Sequence, residues 1–391
     1  MIDNLLIILM ILGAFLFLYH LVLYPLILLL LNMIKKKSTI DYSIPQELPT
    51  ITILCPAYNE EECLEEKIRS YQNLNYDKNK LRMIVISDDS EDKTNEIVKK
   101  HEKTGYIELV VQKPRKGKQS GHNLVEPDIR SKYVVSTDAN SIFHPDAVIE
   151  LVKIIENEDK TGLVSGKLEL VVSDEHESGE ASYWSFESSL KHNESKLKTI
   201  ICANGSIFII RRHLFGQIYP ASVDDFERVL ITIKKGYNAK YNPQAIVYEN
   251  STERASQEIK RKVRIISREW FAIKRQSVLL NVFRYPVVAF FLISHKIIRW
   301  LIPLYASLFF IVSLLSLSIS NSLFPIAVLG LQIILYATGF IGMYLQAKKI
   351  KSSLLRIPTY FTAMIYAGNV GFIKFLQKKK MAIWQTSIRN D

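Results

Sequence analysis

The sequence has little cysteine, and none of it is spaced to hold a metal or to form a redox pair. Cys55, Cys63 and Cys202 are the only cysteines among 391 residues. A small, odd number of scattered cysteines disfavours a disulfide framework and a zinc site. The pattern favours buried, reduced thiols in a domain that faces the cytoplasm.

The glycine-rich loops that bind nucleotides in the commonest folds are also absent. Neither G-x-G-x-x-G nor GxxxxGK[ST] occurs in the chain, which excludes the usual dinucleotide and P-loop designs. Fingers, basic zippers and aromatic RNA-binding motifs are missing too, so the net charge of +11 does not indicate nucleic acid as a partner. The charge suits an anionic membrane face or a phosphorylated substrate.

Apolar residues are abundant at the two ends of the chain. Residues 5–31 contain no charged residue, and a helix of this length, rising about 1.5 Å per residue, crosses a hydrocarbon core about 30 Å thick. Three lysines follow at 35–37, whereas Asp3 alone precedes the run. We therefore predict an N-terminal transmembrane helix within residues 1–34, with the chain entering the cytoplasm after it.

The C-terminal third of the sequence contains further segments that we expect to contact the membrane. Residues 301–346 contain two candidate spans, and residues 256–300 mix lysine and arginine with apolar residues as interfacial helices do. Ordinary amphipathic helices of a soluble domain are the alternative for the latter. For residues 347–391 we predict, in chain order, a cytoplasmic loop, a membrane segment and a basic tail. Within them, 358–376 is long enough to span, but basic residues on both sides favour a re-entrant or interfacial segment.

Residues 35–255 alternate short apolar runs with helical patterns, which predicts an α/β domain with a mainly parallel sheet. Ligands of such sheets bind at the carboxyl ends of the strands. Tyr58, Asp89 and Asp138 all follow predicted strands. This edge of the sheet therefore offers carboxylates, and a metal held by them, to a nucleotide.

Short motifs in this domain form an ordered series. They are Pro56-Ala57-Tyr58-Asn59-Glu60-Glu61, Asp88-Asp89-Ser90-Glu91-Asp92-Lys93-Thr94, Lys116-Gly117-Lys118, Thr137-Asp138-Ala139-Asn140 and Asp224-Asp225. The series resembles that of the family 2 glycosyltransferases, inverting enzymes of the GT-A fold, over about residues 50–270. The membrane flanks resemble the branch of hyaluronan, cellulose and poly-N-acetylglucosamine synthases. The resemblance implies a Rossmann-like GT-A domain in the cytoplasm, flanked by N- and C-terminal transmembrane and interfacial helices.

The resemblance implies that a UDP-sugar binds at the first two strand ends. Ala57, Tyr58 and Glu60 lie in the loop that contacts uridine in this family. Asp89 can accept a hydrogen bond from the imide N–H of uracil, which cytosine lacks. A plain turn and a helix cap are the alternative interpretations of these two loops.

Two basic residues are further donor ligands by the same resemblance. Lys118 lies in a basic loop that faces the donor in the family, with an exposed surface charge as the alternative. Arg264 matches the arginine that clamps the donor diphosphate in a QxxRW motif. The glutamine and tryptophan of that motif are absent here, and Trp270 comes five residues later. Processive polymerisation is therefore left open.

The remaining motifs imply the metal and the catalytic base. Asp138 and Asn140 stand where the family has its DxD motif, which implies a Mg²⁺ or Mn²⁺ ion that neutralises the leaving diphosphate. Asp225 matches the base that takes the proton of the acceptor hydroxyl, and Asp224 would support it or bind the acceptor. An acidic pair at a helix N-terminus is the alternative for these two aspartates.

Three residues are candidates for contact with the acceptor. Asn204 and Gly205 resemble the acceptor-side turn of the family. Trp184 can stack on a sugar face, and it can equally anchor a helix at a membrane interface.

These observations together predict a multi-pass enzyme of the cytoplasmic membrane that transfers a sugar from a UDP-sugar to a glycan in polysaccharide or capsule synthesis. One alternative is a single addition to a lipid-linked acceptor, such as a polyprenyl phosphate or a glycolipid. Another is a non-catalytic subunit of an export complex. Three or four membrane segments are few for a polysaccharide channel, which leaves room for an export partner or a homo-oligomer.

Overall fold

The computed structural model describes residues 2–35, 42–103, 105–171, 179–250, 255–319, 322–348, 350, 352 and 354–378. The predicted basic tail beyond residue 378 and the lysines at 36 and 37 lie outside these residues. The chain divides into two compact units. The membrane-helix unit comprises Met1–Leu30, Thr252–Phe271 and Leu280–Lys379, and the α/β unit comprises Leu31–Ser251, Ala272–Leu279 and Lys380–Asp391.

The helices and strands alternate through the middle of the chain as the sequence predicts. The strands are β1 (Ile51–Ala57), β2 (Leu81–Ser87), β3 (Ile107–Val111), β4 (Tyr133–Thr137), β5 (Ile142–Phe143), β6 (Thr161–Val171), β7 (Ile207–Arg211) and β8 (Asn238–Asn250). The helices are α1 (Ile2–Leu18), α2 (Tyr24–Ile34), α3 (Glu61–Gln72), α4 (Thr94–Glu102), α5 (Lys118–Val125), α6 (Ala147–Asn157), α7 (Gly179–Leu197), α8 (Asp224–Lys234), α9 (Ala255–Arg275), α10 (Pro286–Phe291), α11 (Ile298–Ser316), α12 (Phe324–Ala347) and α13 (Arg356–Leu376).

The strands form one sheet in the order β3-β2-β1-β4-β7-β6-β8-β5. Strands β3, β2, β1 and β4 run parallel to each other, whereas β7 is antiparallel to both β4 and β6, and β5 is antiparallel to β8. Strands β6 and β8 are parallel. The predicted α/β fold with a mainly parallel sheet is confirmed.

The parallel strands position the functional loops because their carboxyl ends meet at one edge. Strands β1 and β4 bury every side chain, as continuous apolar runs in a sheet covered on both faces do. Ala57 pairs with Ser87 at the ends of β1 and β2, and Leu54 pairs with Ser136 near the end of β4. The loops after β1, β2 and β4 therefore emerge side by side.

The described residues include three helical stretches that are long and apolar enough to cross a membrane. They are Asp3–Ile34 with 32 residues, Pro286–Ser316 with 31 and Phe324–Gln346 with 23. The first and third agree with the predicted spans. The second begins before the two candidate spans predicted within residues 301–346, because one continuous helix runs through α10, a π-helical segment and α11.

This extension takes in residues that the sequence assigned to a separate interfacial helix. His295 and Lys296 are buried in the unit, and the Lys296 ammonium lies 3.7 Å from a carboxylate oxygen of Glu269. Charged residues in a membrane segment are tolerated where they face the interior of a bundle and pair there. His295 and Lys296 therefore lie inside the unit, and the interfacial interpretation of residues 256–300 stays a prediction.

Helix α13 packs closely on α12. Gly339 and Gly342 of α12 face Thr362 and Thr359 of α13, where added side chains would collide. Helix α13, which has 21 residues, is not one of the three stretches that are long and apolar enough to span a membrane. The re-entrant or interfacial interpretation of residues 358–376 stays a prediction.

Candidate active site

The loops after β1 and β2 are joined by hydrogen bonds. Asn59 and Asp89 adopt left-handed backbone conformations, with φ of 51° and 61°, which aspartate and asparagine tolerate better than other non-glycine residues. The Asn59 N–H donates to Ser90 Oγ over 3.2 Å, and Asn59 Oδ1 accepts from the Glu91 N–H over 2.9 Å. These hydrogen bonds thus hold the loops of the first two motifs together.

Asp88 and Asp89 have different environments although they are adjacent. Asp88 is buried, and its carboxylate accepts hydrogen bonds from the backbone N–H groups of Lys116 (2.9 Å) and Gly117 (3.0 Å). Gly117 has a φ of 92°, a conformation that favours glycine. Asp88 therefore fixes the basic loop, whereas Asp89 is one-third exposed and pairs with Lys113 over 3.4 Å.

The ring of Tyr58 is covered on one face by an arginine that the sequence analysis missed. The Arg115 guanidinium lies 3.3 Å from the ring centroid, a cation–π distance, and its Nε lies 3.5 Å from the Asp88 carboxylate. Ala57 ends β1 next to Tyr58, and its carbonyl accepts from the Asp88 N–H over 2.9 Å. Glu60 lies at the N-terminus of α3 and accepts a hydrogen bond from Cys63 Sγ.

The carboxyl end of β4 carries an ion pair. Lys118 Nζ lies 2.7 Å from Asp138 Oδ1 and 3.4 Å from the carbonyl oxygen of Gly205. Burial would lower the pKa of Lys118, but the carboxylates of Asp138 and Asp224 outweigh it, so the pKa is raised. Lys118 is therefore a cation in the centre of this cluster.

Asp138 and Asp225 approach the same side of Gly205. A Cβ atom built on Gly205 would lie 3.4 Å from Asp225 Oδ2 and 3.9 Å from Asp138 Oδ2. The carbonyl oxygen of Asp225 also accepts a hydrogen bond from the Ala203 N–H over 2.9 Å, which fixes the start of α8 beside this turn. The structure thus brings together the predicted base, the predicted metal ligand and the glycine of the acceptor-side turn.

Gly205→Ala is expected to lower turnover by about 100-fold while the protein still folds, because a small displacement at a reacting centre has an effect of that order. The new methyl group makes ordinary van der Waals contacts with the two carboxylates but fills the space that they share. Steady-state release of nucleoside diphosphate and thermal unfolding would measure the two effects. Gly216→Ala is the matched control, since no atom lies within 4 Å of its added Cβ. A Gly205→Ala protein with unchanged turnover would contradict the importance of this space.

Asn204 positions the turn from inside the protein. It is buried; its Nδ2 donates to the Gly166 carbonyl oxygen over 2.6 Å, and its Oδ1 accepts from the Lys191 ammonium. Its backbone N–H donates to Ser165 Oγ over 2.8 Å. The predicted contact of Asn204 with an acceptor stays a prediction, and these bonds explain how Gly205 is held.

Trp184 lies on α7, where it is half-buried. It packs against the hydrophobic core of the α/β unit, with the Lys191 ammonium 5.7 Å from its ring centroid. Its predicted stacking on a sugar stays a prediction.

Asp224 is buried in a polar cluster whose other members the sequence analysis did not identify. Its carboxylate pairs with the Arg228 guanidinium, accepts a hydrogen bond from Ser136 Oγ over 3.1 Å and lies 3.4 Å from His122 Nδ1. Burial opposes ionisation of Asp224, but Arg228 and His122 outweigh it and hold its pKa below the usual range. Burial also lowers the pKa of His122 to about 3. Asp224 thus anchors the helix that presents Asp225.

A second set of polar residues supports the loop of the metal motif. Glu249 at the end of β8 accepts hydrogen bonds from Ser141 Oγ (2.5 Å) and Ser206 Oγ (2.6 Å). The buried ammonium of Lys67 donates to Thr137 Oγ1 over 2.8 Å and to the carbonyl oxygen of Ser141. No motif in the sequence indicated Glu249 or Lys67, because they come from distant elements and meet only in the folded sheet.

Asp138 and Asn140 fit a metal that arrives together with a substrate phosphate. Among the described residues, no group of three His, Cys, Asp or Glu side chains could hold a metal. Mg²⁺ is commonly bound by one or two carboxylates plus substrate phosphates. The Asp138 carboxylate and the half-exposed Asn140 amide supply oxygen ligands of that kind. These two side chains fit a Mg²⁺ ion only if oxygens of the donor diphosphate supply further ligands to the ion.

Arg264 belongs to the membrane-helix unit, on α9. Its assignment to the donor diphosphate stays a prediction. Trp270, on the same helix, packs in an aromatic cluster with its ring centroid 5.1 Å from that of Trp300 and 5.4 Å from that of Phe372.

Comparison with known proteins shows which sequences and folds this chain is similar to. Residues 52–219 match the model of glycosyl transferase family 2. The chain is 28% identical over 232 residues to the probable glycosyltransferase YdaM of Bacillus subtilis (strain 168), a match that covers 55% of each protein. It is 29% identical over 133 residues to a poly-beta-1,6-N-acetyl-D-glucosamine synthase of Staphylococcus aureus (strain COL), covering 34% of this chain and 31% of that protein. The matched stretches thus span about half of the first relative and about a third of the second.

A solved structure shares the fold over almost the whole chain. It is the mannosyltransferase PcManGT from Pyrobaculum calidifontis in complex with GDP-Man and Mn²⁺, with a TM-score of 0.72, 20% identity, and coverage of 97% of this chain and 100% of that one. Residues 52–219 therefore match a glycosyl transferase family 2 domain, and the chain has the GT-A fold, as the motif series implied.

Proposed function

We propose that this chain is a membrane-bound, inverting glycosyltransferase that moves a sugar from a nucleotide-sugar to the hydroxyl group of an acceptor. The approach of Asp138 and Asp225 to one side of Gly205 carries this proposal. One carboxylate suits a donor diphosphate with its metal, and the other suits an acceptor hydroxyl. The space between them is where an anomeric carbon would lie.

Asp225 acts as the general base in this proposal. The acceptor oxygen forms a bond to the anomeric carbon while the bond from that carbon to the diphosphate oxygen breaks, which inverts the configuration. The proton of the acceptor hydroxyl goes to the Asp225 carboxylate, and the electron pair of the broken bond goes to the nucleoside diphosphate. Lys118, a cation in this cluster, lies where it can stabilise charge on the leaving group.

A divalent metal held by Asp138 and Asn140, when bound, would neutralise the diphosphate. Mg²⁺ and Mn²⁺ are the ions proposed, and the Mn²⁺ complex of the structurally similar mannosyltransferase supports them. Removing the metal with EDTA is expected to reduce turnover at least 100-fold, since a metal supplies several kcal/mol of charge stabilisation. Adding back Mn²⁺ or Mg²⁺ should restore it. Full activity in EDTA would overturn the metal assignment.

UDP-sugar is the proposed donor class, with Tyr58, Glu60 and Asp89 at the base and Arg264 at the diphosphate. The exposed part of the Asp89 carboxylate supports this, because it can accept the uracil imide N–H. The similar mannosyltransferase structure contains GDP-Man, so GDP-sugars belong in the same test.

The acceptor is proposed to be a growing glycan, as in polysaccharide synthesis, and the poly-N-acetylglucosamine synthase relative supports this. A single addition to a lipid-linked acceptor is the second candidate. It is favoured by the absence of the QxxRW glutamine and tryptophan and by the aromatic cluster that encloses Trp270. The three apolar stretches support a membrane protein with lipids around them. We propose a multi-pass protein of the cytoplasmic membrane with the α/β unit in the cytoplasm, because three lysines at 35–37 follow the first stretch.

The experiment uses the purified full chain in lipid nanodiscs with a panel of UDP-sugars and GDP-sugars, Mn²⁺ and extracted membrane lipid. Nucleoside diphosphate release and product length would be measured. Long product supports the polymerase, and one sugar added to a lipid supports the second candidate. No turnover with any donor, together with unchanged cellular glycans in an Asp225→Asn strain, would favour a non-catalytic subunit.

A further inference from the structure

We propose that Lys118 neutralises Asp138 in the free protein, so that a divalent metal binds this chain only together with a nucleoside diphosphate. The inference rests on the proposed function, because it concerns the same donor site. It goes further by assigning Lys118 control over when the metal can bind.

The ion pair is the first observation. Lys118 Nζ lies 2.7 Å from Asp138 Oδ1, and the lysine side chain is only 19% exposed. Its ammonium is also 3.4 Å from the carbonyl oxygen of Gly205, an oxygen on the same turn that faces both carboxylates. Lys118 begins α5, whose preceding loop is fixed by Asp88, so the backbone that carries this side chain is held beside Asp138.

The ligand count is the second observation. A metal at Asp138 would have one carboxylate already paired with Lys118 and one amide from Asn140, and the described residues offer no cluster of three ligands. Mg²⁺ requires about six oxygen ligands and gives up its water reluctantly. Bringing a second cation beside the ammonium is also repulsive. The protein alone is therefore a poor metal site.

A diphosphate removes both obstacles. Its oxygens complete the coordination of the metal, and its negative charge gives the Lys118 ammonium a new partner when it leaves Asp138. Metal and nucleotide then increase each other's affinity by the same factor. The expected consequence is that the donor site loads its metal only when a nucleotide is present.

The test measures binding of Mn²⁺ to the purified full chain by the loss of its free electron paramagnetic resonance signal, without nucleotide, with UDP and with GDP. In the wild-type protein, UDP or GDP should tighten Mn²⁺ binding at least tenfold. Lys118→Met should bind Mn²⁺ alone at least tenfold more tightly than the wild type and show a smaller nucleotide effect. Lys118→Gln serves if the methionine variant does not fold.

Two variants act as controls. Lys116→Met removes an exposed charge two residues away and should behave as the wild type. Lys118→Arg keeps the charge and should keep the nucleotide dependence. Adding Asp138→Asn to Lys118→Met should abolish the gain, which locates the ion at Asp138.

The outcomes separate this inference from the proposed function. If Lys118→Met and Lys118→Gln bind Mn²⁺ alone no more tightly than the wild type, the inference is wrong. If the wild type binds UDP or GDP but its affinity for Mn²⁺ does not change, the inference also fails while the donor site stands. If no nucleotide binds to any variant, the proposed function fails with it.

Discussion

Asp225→Asn is expected to reduce turnover by about 10²–10⁴-fold, the usual contribution of a positioned general base. The amide keeps the size of the side chain but cannot take the acceptor proton. Asp225 lies in the first turn of α8 and faces Gly205 together with Asp138, so a change confined to its charge should leave donor binding intact. Nucleoside diphosphate release at saturating donor would measure the loss.

Asp128→Asn is the matched control for this change. Asp128 is an exposed aspartate of the same unit, outside the cluster around Gly205, and its variant should turn over as the wild type does. Binding of UDP with Mn²⁺ should be equal in all three proteins. An Asp225→Asn enzyme with more than a tenth of the wild-type turnover would exclude Asp225 as the base.

Asp224→Ala is expected to destabilise the protein by about 3–5 kcal/mol, because removing one partner of a buried ion pair leaves the other charge uncompensated. Asp224 is 5% exposed and Arg228 1% exposed. The Arg228 guanidinium also donates to the carbonyl oxygens of Phe215 and Gly216, so it cannot leave its site easily. Chemical and thermal unfolding of the purified full chain would measure the loss.

The double variant Asp224→Ala/Arg228→Met tests the cause. It removes both charges, and it should recover a large part of the lost stability. If Asp224→Ala unfolds as the wild type does and yet fails to turn over, Asp224 has a direct role in the chemistry and the structural assignment is wrong.

The stability difference between Asp224→Ala and the wild type should depend on pH in one direction. The pKa of Asp224 is held below its ordinary value of 3.8 in the folded protein. Its contribution is therefore fully present above that ordinary value and is lost as the pH falls through the lower, folded value. The difference should be constant from about pH 5 to pH 8 and should shrink only in strong acid.

The sequence predicted the parts of this site that lie next to one another along the chain. Asp138 follows the end of strand β4, and Asp225 lies at the start of helix α8. Hydrophobic periodicity and the order of the motifs locate both boundaries in the sequence. Their approach to Gly205 could be expected only from the family resemblance, since Asp138 is far from both Gly205 and Asp225 along the chain. The parallel sheet followed from strand–helix alternation, as the parallel pairing of β1 to β4 confirms.

The supporting contacts could not be predicted because they depend on pairing between distant elements. Lys67 and Glu249 meet the loop after β4 from α3 and β8, and each is unremarkable in its own segment. Residues 256–300 were assigned to interfacial helices from their mixture of basic and apolar residues, and charge alone cannot distinguish a lysine in a polar interface from a lysine paired inside a helical unit. The Glu269–Lys296 pair is visible only once the helices are packed.

The structure of the full chain with Mn²⁺ and a nucleoside diphosphate tests the central claim most directly. We expect the metal to be held by Asp138 next to the diphosphate, with Lys118 moved from Asp138 toward the phosphates and the leaving oxygen beside the space shared by Gly205 and Asp225. A nucleotide bound elsewhere, or an Asp225 carboxylate turned away from the diphosphate, would contradict it.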